Sequence, residues 1–176
     1  VDGLHPANLG KLVTEDTSGF VPCTPAGVAE LLHAHEVPVA GQHVVILGRS
    51  TLVGRPLALL LMQRSPRGNA TVTVAHTRSH EVPALVRRAD ILVAAVGSPG
   101  FVRGEWLRPG ATVVDVGIHR VAAAEPGKTR LVGDVDAASA LPVAGALSPV
   151  PGGVGLLTVA MLMHNTLLAW QRHTEA

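Results

Sequence analysis

The sequence has no tyrosine, a single cysteine, Cys23, and only two lysines, Lys11 and Lys128; aromatic residues make up 2% of its 176 positions. One cysteine excludes an internal disulfide framework and fits a reducing compartment, here read as the cytoplasm. Charged residues amount to 15% and the formal net charge is +1, so no basic surface points to nucleic acid. Long apolar runs are also lacking. The longest, Val154 to Met163, is broken by His164 and Asn165. It falls short of the roughly 20 residues that a bilayer requires, so no membrane partner is expected. The 47% hydrophobic content is mostly Ala, Val and Leu, as in a globular domain with a real core. The chain opens at VDGLHP with neither an initiator methionine nor a charged-then-apolar leader, and is read as part of a longer or processed protein.

The apolar residues are organised as alternating strands and helices. HVVILG (43–48) is a β-branched run of the kind that is buried on both faces. ATVTVAH (70–76), DILVAAVG (90–97) and ATVVDVG (111–117) repeat the pattern, and KTRLVGDV and AGALSPV each hold a further short strand. Between them lie helical segments at PCTPAG onward, with Thr24 as N-cap and Pro25 at the first helical position, at 53–64, and at VPALVRRA. A long helix closes the chain over 154–172, the first twenty residues read as an irregular entry segment, and AAAEPGK (122–128) reads as a surface loop. The whole of 1–176 is therefore expected to be one α/β domain: Rossmann-like, with a mostly parallel, doubly wound sheet and helices on both faces.

In such folds ligands sit beyond the carboxyl ends of the strands, and phosphates sit on a helix N-terminus. VVILGRSTLVGRP (44–56) has the strand–turn–helix shape, but its glycines are Gly48 and Gly54, with Arg49 and Ser50 where the common fingerprint has its second glycine. Two glycines alone also fit a plain connection without a ligand. The next strand supplies direction. Sites for the unphosphorylated dinucleotide usually place an acid at its end, whereas this chain has His76-Thr77-Arg78. With Arg49, these residues can bind a ribose phosphate by charge-assisted hydrogen bonds, which favours NADP.

SPVPGGVG (148–155) concentrates two prolines and three glycines just before the last helix, a rigid loop able to approach a ligand closely. Other polar residues carry less. His33 and His35 cannot share a helix face, Ser50 has no His/Asp partner in sequence, and Cys23 reads as a packed structural thiol. His164 and His173 read as polar-face residues, and the two carboxylates of GDVD (133–136) as turn or capping groups.

VDGLHPANLGKL, PCTPAGV, VVILGRSTLVGRP, VTVAHTR, DILVAAVG, VVDVGI, LVGDVD and PVPGGVG stand in this order from Val1 to about Leu168. This series resembles the bifunctional methylenetetrahydrofolate dehydrogenase/methenyltetrahydrofolate cyclohydrolase family, over the later part of that family's chain. The resemblance implies NADP as cofactor, a folate substrate and a homodimer formed through the cofactor domain. It also implies a preceding catalytic domain with an essential tyrosine and lysine, so no catalytic residue is expected in this chain and no metal is implied. Gly48, Arg49 and Ser50 would bind NADP, with Arg49 and Thr77 on the ribose phosphate. Ile118 would meet the nicotinamide end through its backbone, and Thr24 and Thr158 would line the cofactor groove. Asp2 would bond the pterin, and Pro151, Gly152, Gly153, Val154 and Gly155 would form the loop over the folate. Two departures stand out: Leu156-Leu157 replaces the family's usual Pro-Met, which implies a looser loop and helix start. His119 replaces its usual Asn, which implies altered contacts near the nicotinamide. A stand-alone nucleotide-binding or regulatory module, or an unrelated dehydrogenase of the same fold, remain the other readings.

Overall fold

The computed structural model describes residues 1–123, 125 and 127–174. Five parallel strands form the sheet in the order β2-β1-β3-β4-β7. They are β1 (His43–Leu47), β2 (Thr71–Ala75), β3 (Ile91–Ala94), β4 (Thr112–Asp115) and β7 (Ala146–Leu147). A two-stranded antiparallel ribbon, β5 (His119–Ala122) with β6 (Thr129–Val132), stands apart from it. The ribbon takes up residues expected to hold a single strand and a loop. Val121–Arg130 and Ala122–Thr129 pair across it, so the expected surface loop narrows to its tip, where Ala124 and Pro126 lie outside the described residues.

The period-two pattern of β1 explains why the sheet is covered on both sides. Val44 and Ile46 point to one core with Val28, Leu32, Leu57 and Leu61. Val45 and Leu47 point to the other, with Val82, Val86, Leu107 and Val135. A strand with both faces apolar is stable only between two helical layers. Helices α2 (Cys23–Ala34) and α3 (Gly54–Met62) form the first layer together with the start of α6 (Val154–Thr174). Helix α4 (Val82–Arg87), a 3₁₀ turn at Gly104–Trp106 and the short α5 (Ala137–Ala140) form the second.

Two local expectations are corrected. The entry segment is not irregular, because Pro6–Val13 forms helix α1. Pro6 fits the first helical turn, and the His5 ring nitrogen Nδ1 accepts the Ala7 N–H at 3.2 Å. Helix α2 begins at Cys23, with Pro22 rather than Thr24 at the cap position and no side-chain cap bond. Thr24 turns its hydroxyl instead to Thr158 Oγ1, 3.2 Å away on α6.

The contact between α2 and α6 is close because Gly27 has no side chain: a Cβ there would lie 3.1–3.2 Å from Leu157 and the Thr158 nitrogen. Asn165, buried on α6, donates from Nδ2 to the Val1 carbonyl at 2.8 Å and the Val21 carbonyl at 3.0 Å. Arg172 donates to the Ser18 and Thr17 carbonyls and stacks over the Phe20 ring. The apolar run at 154–163 thus opens a helix of 21 residues, long and apolar enough by composition to cross a membrane. One face of it is tied to the domain by these bonds. Its other side exposes Leu156, Val159, Met163, Leu167 and Trp170, a stripe at helical spacing.

Substituting Gly27→Val should wedge α2 and α6 apart and cost about 1–3 kcal/mol, measured by urea denaturation, without disrupting the parallel sheet.

Candidate nucleotide site

The site is assembled where β1, β3 and β4 end. Neighbouring strands lie on opposite sides of β1 in the order β2-β1-β3, so the crevice expected of a doubly wound sheet opens at the β1 and β3 exits. Gly48 leaves β1 with φ +125°, and a Cβ on it would overlap the Ala95 carbonyl at the end of β3. Gly54, at the start of α3, lies against the Gly48 carbonyl with equal closeness. Both glycines are therefore required by backbone approach, which settles why the motif needs glycine at these two positions.

Around this turn is a hollow of about 240 Å³ lined by Gly48, Arg49, Ser50, His76, Thr77, Arg78, Ala95 and Val96. The two loops singled out in the sequence, Gly48-Arg49-Ser50 and His76-Thr77-Arg78, are brought together. Among the described residues, no carboxylate lines the hollow. Arg49, Ser50, Thr77 and Arg78 are exposed. Ser50 Oγ accepts the Val53 N–H at 3.0 Å, leaving its own O–H as a donor. The second loop is a tight turn: the His76 N–H donates to Ser79 Oγ at 3.1 Å, and the Arg78 N–H donates to His76 Nδ1 at 3.2 Å. A small concave surface with two guanidinium groups and two hydroxyls matches a phosphate-bearing ribose.

Beyond the hollow, two buried carboxylates organise the remaining strand exits. Asp115 ends β4 and is 4% exposed. It accepts N–H groups from Gly117, Asp134 and Val135, each at 2.9 Å. Asp134 is fully buried and accepts from Val96 at 2.6 Å, Gly97 at 2.9 Å and Ser98 at 3.0 Å. Its Oδ1 also lies 2.6 Å from His119 Nε2. GDVD is thus no turn or capping element. Asp134 is a structural acceptor, and Asp136 precedes α5 without a side-chain cap bond. The signal that could have found the pair is a carboxylate inside an apolar run, as in VVDVG. Burial pushes the Asp115 carboxyl above its ordinary range, partly opposed by the N–H groups of Val135, Asp134 and Gly117.

The other expected positions divide. Ile118 is exposed, directly between Gly117 and His119. Thr24 and Thr158 bond each other at the α2–α6 seam, outside the hollow. Asp2 is exposed at the same seam, where its carbonyl lies 3.8 Å from Cys23 Sγ. Burial, and next the neighbouring Asp2, pushes the buried Cys23 thiol up, so it is a packed group. In the loop before α6, Pro151 and Gly152 are exposed and Gly153 is buried, while Gly155 is exposed in the first turn of the helix itself. The Val154 side chain belongs to the core rather than to a ligand surface. At the helix start the Leu156 N–H, which a proline would lack, donates to the Gly153 carbonyl at 3.2 Å.

A parallel doubly wound sheet with this crevice and this cationic hollow defines a nucleotide-binding domain of the Rossmann type. Residues 22–174 match the model of the tetrahydrofolate dehydrogenase/cyclohydrolase NAD(P)-binding domain, and the chain belongs to that family. It is 53% identical over 175 residues to the bifunctional protein FolD of Chlamydia trachomatis serovar L2, covering 99% of this chain and 61% of that protein. It is 57% identical over 173 residues to the FolD of Brucella ovis, covering 96% of this chain and 56% of that one. Among solved structures, the Trypanosoma brucei methylenetetrahydrofolate dehydrogenase-cyclohydrolase, complexed with NADP and an inhibitor, superposes with a TM-score of 0.89. It is 44% identical, over 99% of this chain and 59% of that one. The chain thus spans about three fifths of the length of these relatives.

A carboxyl whose ionised form is disfavoured by folding contributes most to stability while protonated, and that contribution is lost as pH rises through its raised value. The Asp115 carboxyl carbon should accordingly titrate, by NMR, with a midpoint above that of an aspartate in a short unstructured peptide.

Proposed function

We propose that this chain is the NADP-binding part of an enzyme that oxidises methylenetetrahydrofolate and hydrolyses the methenyl product to formyltetrahydrofolate. The observation that carries this reading is the hollow joining Gly48-Arg49-Ser50 to His76-Thr77-Arg78, in a family whose structurally solved bifunctional members bear both activities in their names. Arg49 and Thr77 hold the ribose phosphate, with Ser50 donating alongside them. Gly48 and Gly54 let the backbone come close enough to seat the pyrophosphate at the start of α3. Ile118 meets the nicotinamide end through its backbone.

Held by Gly48, Arg49, Ser50 and Thr77, NADP would supply the hydride acceptor for oxidation of the folate methylene carbon, with NADPH and the methenyl cation as the products. The chain's share is to hold the dinucleotide at the strand exits, so that its reactive face is presented in one orientation. The loop of Pro151, Gly152, Gly153 and Gly155 closes over the folate, whose pterin is bonded by Asp2. Val154 anchors that loop from the core. Thr24 and Thr158 hold the loop's helix against α2 at the edge of the groove. The hydrolytic step needs a general base, and we assign it to a preceding catalytic domain bearing the tyrosine and lysine that the resemblance implies. The exposed apolar stripe on α6, and the two-fifths of the relatives' length that this chain does not span, support such a domain. A homodimer through the cofactor domain is supported by the β5–β6 ribbon, whose outer edges carry no further strand among the described residues. A cytoplasmic setting accords with the unpaired Cys23.

By calorimetry, Arg49→Ala should weaken NADPH about tenfold to a hundredfold and NADH far less. Equal losses would show that Arg49 only shapes the loop. A protein carrying both domains should oxidise methylenetetrahydrofolate with NADP, whereas residues 1–176 alone should bind NADPH and turn over nothing. Turnover by residues 1–176 would refute the placement of the base elsewhere.

A further inference from the structure

One side chain at the strand exits is left without a part in the function proposed above. His119 opens β5, one residue after Ile118. Its ring lies 21% exposed, with Nε2 2.6 Å from Asp134 Oδ1. A carboxylate only accepts, so Nε2 carries the hydrogen and donates. Asp134 already takes the N–H groups of Val96, Gly97 and Ser98, the turn that follows β3. His119 is its only side-chain partner among the described residues. From another side, Gly117 lies so close to the Asp134 carboxylate that a Cβ there would overlap it.

Two turns therefore converge on one buried charge. The β3 exit reaches it through three backbone N–H groups. The β4 exit, Gly117-Ile118, lies against it and is closed down by the His119 ring. The phosphate-binding hollow occupies the β1 and β2 exits and reaches Ala95 and Val96 at β3, and a dinucleotide crossing the crevice continues past β3 toward β4. The rim held by Asp134 is where its second half arrives.

We propose that His119 is a positioning residue for the nicotinamide half of the dinucleotide. Through Asp134 it latches the Gly117-Ile118 turn and the root of the β5–β6 ribbon onto the Val96–Ser98 turn. This role rests on the dinucleotide reading given above. It follows from the position of the donor. Removing the ring leaves Asp134 with its backbone partners and the β3 turn intact, but frees the Ile118 backbone and the ribbon to shift. The adenosine half, held at Arg49 and Thr77, lies in a hollow that meets the β3 side of this latch at Val96 but is not lined by Gly117, Ile118 or His119, the side that the substitution loosens.

Calorimetry on the full chain separates the two halves, because 2′,5′-ADP carries the ribose phosphate without nicotinamide. His119→Leu, which removes the donor, should weaken NADPH by about tenfold or more and leave 2′,5′-ADP within about twofold. His119→Gln, which keeps an N–H donor on a flexible stem, should recover most of the loss. Hydrogen exchange at Gly117, whose N–H is held by Asp115, and at Val121, paired with Arg130 in the ribbon, should quicken in the leucine variant and return in the glutamine variant. Equal weakening of both ligands would make His119 a general stability residue and overturn the proposal, as would unchanged NADPH affinity in the leucine variant or no recovery with glutamine. If the unsubstituted chain bound neither NADPH nor 2′,5′-ADP, the dinucleotide reading itself would fail, and this role with it.

Discussion

Two carboxylates that never reach solvent hold the carboxyl ends of three strands together. Asp115 takes N–H groups from its own strand exit and from the start of the Asp134 loop, while Asp134 takes those of the β3 exit. Backbone N–H groups at such exits have no strand partner, and leaving them buried and unpaired would cost each about 1–3 kcal/mol. Two acceptors with several lone-pair sites each satisfy six of them. The cost is desolvation of the charges, visible in the upward push on Asp115. The arrangement also explains two glycines: at Gly133 a Cβ would overlap the Asp115 carboxylate, and at Gly117 it would overlap that of Asp134. Ser148 completes the scaffold by accepting the Asp115 N–H at 2.8 Å and so joins the β7 exit to β4.

The division of labour along the crevice follows from what each strand exit offers. At β1 and β2 the exits are open and cationic, with Arg49 and Arg78 in solvent, which suits the electrostatic, adjustable phosphate recognition proposed for them. At β3 and β4 the exits are closed on buried charge, so shape is held by hydrogen bonds. A dinucleotide needs both, an attractive end that captures and a rigid end that orients.

The sheet and its two layers were legible from the apolar runs, because a strand buried on both faces leaves a continuous β-branched signature, as at Val44–Leu47. That the Gly48-Arg49-Ser50 and His76-Thr77-Arg78 loops share one hollow was legible too, since Gly48, Arg49 and Thr77 each break a local pattern. The residues that escaped are those whose role depends on distant partners. Asp134 reads as a turn former because its six-residue neighbourhood contains nothing that predicts Val96 or His119. Helix α1 escaped because it has only Leu12 buried among eight residues, too few to make a periodic stripe. Thr24 read as a cap because its sequence context is right for one, but the packing of α6 on Gly27 gives its hydroxyl a different partner.

The rim at β3 and β4 is held almost wholly by main-chain donors: Val96, Gly97 and Ser98 give Asp134 their N–H groups, not their side chains. Substitutions on that turn, short of proline or of a residue that cannot follow the positive φ of Gly97, leave the tether in place. The surface chemistry of the pocket wall can therefore drift across generations while its outline stays the same. Such a wall gives evolution a place to tune ligand preference in small steps, with the two aspartates as the part that is not free to change.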